Sequence, residues 1–177
     1  MNLRAALLAV CLLLAPAPFA WAEDYRAQVI GVADGDTITV LHDGLPERIR
    51  LAGIDCPEKK QAFGQRAKEF TASMVFGKEV DVQSHGHDRY GRTIADIEVP
   101  GIGSLNQALL RTGLAWWYRR YSNDAVLGEL EEKARASRSG LWQDASPLPP
   151  WDFRHHRQMF AGRDATGSVK VITVTVD

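Results

Sequence analysis

The chain has 177 residues, with 21 Lys and Arg against 22 Asp and Glu and a formal charge of −1. So even a balance excludes a bulk polycation of the kind that clamps nucleic acid by charge alone, and any anionic ligand must be met by charge concentrated locally. The cysteines, Cys11 and Cys56, are too few and too separately placed to imply a disulfide framework.

Residues 1–22, MNLRAALLAVCLLLAPAPFAWA, read as a secretory signal peptide, with a basic Arg4, an apolar run from Ala5 and a small-x-small exit at Ala20-Trp21-Ala22. Pro16 and Pro18 interrupt the run before it reaches the roughly 18 apolar residues of a membrane anchor, so no stable membrane association is expected after its removal. Without this leader 155 residues remain, at 20 basic to 22 acidic and a charge of −2, with Cys56 as the only thiol. An exported chain of this kind relies on packing and not on a disulfide.

From Tyr25, YRAQVIGV alternates and is β-branched, DGDT is a turn, TITVL alternates again, HDGLPE turns and RIRLAGI forms a third run. The next segment, QAFGQRAKEFTASMVFG, places Phe63, Ala67, Phe70 and Met74 on one helical face, with Gly77 as a stop. KEVDVQ and RTIADIEV, on either side of a turn at Asp88–Gly91, read as further strands. Five strands with an inserted helix predict a small closed barrel, because closure removes exposed edges. A second helix is expected from near Ser104 to Gly113. After AWWYRRY comes a third, capped by Asn123 or Asp124, carrying Leu127, Leu130 and Ala134, and ended by Gly140.

Beyond Trp142 the prolines at 147, 149 and 150 predict an extended arm anchored by Trp151 and Phe153. The closing SVKVITVTVD alternates as an extra strand would. The expected organisation is a leader over 1–22, one domain over 23–142 and an extension over 143–177. The fold class is mainly β with helices: a five-stranded barrel, three helices, an extended arm and an additional strand.

The chemistry concentrates in Asp34-Gly35-Asp36-Thr37 and Arg50-Leu51-Ala52-Gly53-Ile54-Asp55-Cys56-Pro57-Glu58. Acidic residues at neighbouring strand ends can converge into an oxygen-rich site, which suits a hard cation such as calcium without histidine or thiolate. An ordinary Asp-Gly turn accounts for Asp34 and leaves Asp36, Asp55 and Glu58 unexplained. Arg50, in an otherwise apolar strand, is either a surface arginine or a guanidinium directed at a phosphate, where its planar donors match phosphoryl oxygens. The same two readings apply to Arg92, which opens a strand after Asp88-Arg89-Tyr90-Gly91.

Together, DGDT, RLAGIDCPE and DRYGR resemble the staphylococcal nuclease-like family over roughly residues 25–142, and the later GLAW and GLW agree with it. The resemblance implies an OB-fold barrel with three helices and calcium-dependent cleavage of DNA and/or RNA. It implies Asp36, Asp55 and the main-chain carbonyl of Cys56 as calcium ligands, with Asp34 nearby. Glu58 is similar to the family's water-activating glutamate, Arg50 and Arg92 to its phosphate-binding arginines, and Tyr90 to a nucleotide-contacting tyrosine. Of two further nucleotide-binding tyrosines, the register gives Arg119 and Tyr121, so only Tyr121 matches.

The sequence departs from the family at Cys56, where threonine is common, although a backbone ligand tolerates the exchange. Zinc at Cys56, His85 and His87 is the lesser metal alternative, since their spacing forms no finger motif. Trp116, Trp117 and Tyr118 would either stack on bases or pack against the third helix. The expected protein is a monomer in the periplasm or outside the cell. The rival expectation is a barrel that binds nucleic acid or protein without catalysis, because a fold alone does not establish function.

Overall fold

A computed structural model describes the backbone over residues 24–161 and side chains over 24–155. The predicted leader and the predicted terminal strand lie outside the described residues. The elements run β1 (Tyr25–Asp34), β2 (Thr37–His42), β3 (Leu45–Leu51), β4 (Ile54–Asp55), α1 (Gly64–Val75), β5 (Glu79–His87), β6 (Thr93–Val99), β7 (Gly103–Ser104), α2 (Leu105–Arg111), β8 (Trp116–Trp117), α3 (Ala125–Ala136) and α4 (Pro150–Ala161), with a single 3-10 turn over Gly140–Gln143 before α4.

The meander β1–β2–β3 pairs antiparallel as the alternation predicts, β1 pairs with β5 and β5 with β6. A parallel contact of β3 with β6, Ile49 beside Thr93 and Leu51 beside Ala95, closes the barrel. Strict alternation in β6 sends Thr93, Ala95, Ile97 and Val99 inward, each at most 1% exposed, and Ile38, Val40, Ile49 and Leu51 fill the same interior. Burying each such aliphatic side chain stabilises the fold by about 1.5–3 kcal/mol against leaving it in water. This is the predicted five-stranded barrel, with the short β7 adding an edge to β6.

The predicted helices are present with small rotations and shifts. In α1 the fully buried stripe is Ala67, Thr71 and Val75, while Phe63, Phe70 and Met74 pack partly buried at its edge. The α3 cap is Asp124, whose Oδ1 accepts the Val126 amide at 2.8 Å. The same helix ends at Ala136, with Arg138 in the left-handed region, and Gly140 instead opens the 3-10 turn.

The predicted extended arm needs correction beyond Pro149. Residues 144–149 are irregular, but Pro150 begins α4, because proline at the first helical position loses no intrahelical bond and already has a helical φ. Asp152 in the first turn complements the helix dipole. Trp151 anchors as expected: it stacks on Tyr118 at 5.3 Å between centroids and meets Trp116 edge-on at 5.6 Å. It joins a second apolar cluster of Trp116, Ala134, Leu141 and Trp142, lidded by the Arg135 guanidinium 3.6 Å from the Trp142 ring. Trp116 is thereby committed to packing, the core alternative for that residue. No helix among the described residues is long and apolar enough to cross a membrane.

Candidate active site

The DGDT turn sits at one mouth of the barrel, just after a register irregularity in β1 between Val32 and Asp34. Bulges of this kind re-aim side chains at sheet ends. Gly35 lies so close to α1 and the chain after β4 that a Cβ there would fall 2.7 Å from Ala67 Cβ and 2.8 Å from Cys56 Sγ. Its carbonyl accepts the buried Thr71 hydroxyl at 2.6 Å. Glycine thus lets the turn press down and turns Asp36 into the mouth, where Oδ2 accepts the Cys56 amide at 2.6 Å. Gly35→Ala is expected to lower stability by about 1–3 kcal/mol through overpacking and to reduce activity by displacing Asp36. Thermal melting checks the first effect and turnover the second.

Arg50, near the end of β3, is the hub of the mouth. Its NH2 lies 2.8 Å from Asp55 Oδ1 and 3.2 Å from Asp36 Oδ2, and its NH1 donates to the carbonyls of Leu51 and Ile54 at 2.8 and 2.9 Å. The surface-arginine alternative fails, since the side chain is 14% exposed. Asp55 is fixed from the other side because β4 pairs antiparallel with β8, Asp55 opposite Trp116. β8 in turn hangs on the fully buried Glu131 of α3, which accepts the Trp117 amide at 3.2 Å and Arg119 at 2.9 Å. Glu131→Ala is expected to cost about 1–3 kcal/mol by leaving the Trp117 amide without its acceptor. Hydrogen exchange should show the loosening at Trp117 and Asp55.

Glu58 follows β4 in a turn whose backbone is clamped by Gln61: the Glu58 amide donates to Gln61 Oε1 at 2.8 Å, and Gln61 N donates to the Glu58 carbonyl at 2.7 Å. A Cβ on Gly64 would lie 2.0 Å from that carbonyl, so α1 must begin with glycine for the turn to rest on it. The Glu58 carboxylate meets a residue that sequence reasoning missed. Arg154, on α4, donates NH1 to Glu58 Oε1 and NH2 to Asp55 Oδ2, each at 2.7 Å. Its only sequence signal was membership of the basic RHHR run, and the expectation of an extended arm concealed its direction.

Three other expected residues make no hydrogen bond to this hub among the described residues. Arg92 directs Nε and NH2 to Asp88 Oδ2 at 2.8 and 2.7 Å, and no hydrogen bond among the described residues links it to Asp36, Asp55 or Glu58. It borders an open cleft with Glu47, Arg48 and Tyr90. Tyr90 is 69% exposed, with Arg89 and Arg92 over its ring at 4.8 and 5.7 Å. Tyr121 is equally exposed and packs edge-on to Tyr118. Arg119 is tied to Glu131 and lies over Trp117, so it braces α3.

Cys56 is buried, and desolvation pushes its thiol well above the usual range, which makes it inert. His85 pairs with Asp96 at 2.7 Å. Cys56, His85 and His87 do not come together as zinc ligands, and no three His, Cys, Asp or Glu side chains among the described residues form a ready-made metal cluster. The aspartates nevertheless fit a hard cation by their chemistry. Asp34 Oδ1 is buried without a hydrogen-bond partner. Burial, and then the neighbouring Asp36, push the Asp34 carboxyl up to about 6. Burial also raises Asp55 in spite of Arg154 and Arg50. These carboxylates therefore carry negative charge that their neighbours leave incompletely satisfied, on oxygen donors alone.

A small OB-fold barrel with buried aspartates bridged by an arginine at its mouth defines the class as nuclease-like in architecture. Residues 48–144 match the family described as staphylococcal nuclease homologue. The chain belongs to that family. It is 42% identical over 142 residues to an "uncharacterized endonuclease" of Escherichia coli O157:H7, covering 78% of this chain and 93% of that protein. It is 43% identical over 160 residues to "Protein ParB" of Escherichia coli, covering 85% and 88%. To a "micrococcal nuclease" of Shigella flexneri it is 42% identical over 162 residues, covering 86% and 91%.

Proposed function

We propose that this protein is an exported, calcium-dependent nuclease that hydrolyses phosphodiester bonds in DNA and/or RNA, working in the periplasm or outside the cell. The observation that carries the reading is Arg50 bridging Asp36 and Asp55, with Glu58 beside them, in a chain whose relatives bear nuclease names. A purely structural barrel has no need for two buried carboxylates and a buried guanidinium at its mouth.

In this reading Asp36, Asp55 and the Cys56 carbonyl hold calcium, with Asp34 adding charge nearby. The bound ion supplies Lewis-acid polarisation of the phosphoryl oxygens. Arg50, held by two carbonyls and two carboxylates, cannot rotate freely, so its positive charge and its remaining Nε–H stand at a fixed place for charge growing on the phosphate. Arg92 serves as the second clamp, its plane set by Asp88 and its remaining donors without a hydrogen bond among the described residues. Glu58 takes the proton of the attacking water, its backbone immobilised by Gln61. The exposed rings of Tyr90 and Tyr121 support bases or sugars.

The test is cleavage of end-labelled single-stranded DNA and RNA by the purified protein in calcium, with a chelated parallel. Cleavage that stops on chelation and returns with calcium supports the reading. Calcium-bound, folded protein that cleaves neither polymer would establish the non-catalytic binding barrel instead.

A further inference from the structure

Arg154 is separated from Asp55 by 99 residues and yet makes the shortest contacts that either Asp55 Oδ2 or Glu58 Oε1 has, 2.7 Å each, plus a longer one of 3.4 Å to Asp55 Oδ1. Two of its guanidinium nitrogens thus span two carboxylates through charge-assisted hydrogen bonds, which are stronger than neutral ones. The residue reaches them from α4, outside the stretch over which the family matches, 48–144. It is not held there by chance packing of a loop. Trp151, one turn earlier, stacks on Tyr118 and abuts Trp116, and Trp116 is the β8 partner of Asp55. The chain entering α4 is pinned too, since Gln61 Nε2 donates to the Leu148 carbonyl at 3.0 Å while its Oε1 holds the Glu58 amide.

We propose that Arg154 is an internal counter-cation that competes with the divalent ion for Asp55 and keeps Glu58 engaged until the ion displaces it, so that α4 sets the cation concentration at which the site assembles. The inference rests on the metal-binding reading above. Asp55 Oδ2 cannot accept a 2.7 Å bond from a guanidinium and at the same time bind a cation on the same lone pairs, and two positive charges that close repel. Arg50 does not occupy that oxygen: it uses Asp55 Oδ1 and Asp36 Oδ2, and its further bonds to two carbonyls hold it in place. Arg154 is 40% exposed, so water can take over its donors when it leaves.

Calorimetric calcium titration of the purified protein, with no nucleic acid present, tests this on Arg154→Gln, Trp151→Ala and Asp55→Asn. Arg154→Gln is expected to bind calcium roughly 10-fold more tightly than the parent, within the range usual for coupled sites. Trp151→Ala keeps the arginine but loosens its helix, and should move affinity in the same direction, with faster hydrogen exchange in α4 on adding calcium to the parent. Asp55→Asn should abolish the titration. Calcium affinity that is equal in parent and Arg154→Gln, with Asp55→Asn still abolishing it, overturns the competition while leaving the metal reading intact. No binding to parent or variants overturns both.

Discussion

Arg50→Met is expected to lower stability by about 3–5 kcal/mol, because it removes the one arginine paired with buried Asp36 among the described residues, leaves Asp55 with Arg154 alone and frees two carbonyls. For a domain near 150 residues that is a fall in Tm on the order of 10 °C. The geometry explains the size of the effect. Its NH1 satisfies the Leu51 and Ile54 carbonyls, and its NH2 lies between the two aspartates, with 14% of the side chain exposed. Arg50→Lys is expected to recover only part of the loss, since one ammonium cannot meet two carbonyls and two carboxylates in one plane. Turnover should fall by about 10²–10³ in both variants, the range for removing a preorganised donor to developing charge. Wild-type melting for Arg50→Met would refute the role of hub. Wild-type turnover in a folded variant would refute the phosphate role separately.

Glu58→Gln is expected to reduce kcat by about 10²–10⁴ while melting temperature stays close to the parent and calcium affinity does not fall. The amide keeps Oε1 as an acceptor for Arg154, and the Gln61 clamp acts on the backbone, so the turn should survive the change. What disappears is the basic lone pair that receives a proton. A parallel fall in calcium affinity would reassign Glu58 to the metal, and unchanged kcat would remove it from proton transfer altogether. Together with Arg50→Met, this variant separates a residue that holds the site together from one that acts only during the reaction.

Much of the site was legible because its residues belong to consecutive strands. Asp36, Arg50 and Asp55 stand at the ends of β1 to β4, and a meander brings such ends together through neighbour pairing that alternation and turn residues already specify. The Asp-Gly turn likewise announced itself, although only the structure explains its glycine by the proximity of Ala67 and Cys56. Trp116 and Trp117 read equally well as base platforms or as core, because an aromatic side chain serves both; the second apolar cluster decides for packing at Trp116. The prolines before Trp151 predict an extended arm, whereas the last of them starts a helix.

By itself, then, the amino-acid sequence determined the barrel, its first three helices and the convergence of Asp36, Arg50 and Asp55 at one mouth, since each of these follows from local periodicity or from neighbours in the chain. Only the tertiary structure decided that Glu131 suspends the strand facing Asp55, that Arg92 turns to Asp88, and that Arg154 reaches Asp55 and Glu58 from the far end of the chain. Those contacts join residues whose separation carries no periodic signal. They form because buried charges must find partners wherever packing brings an opposite charge within reach.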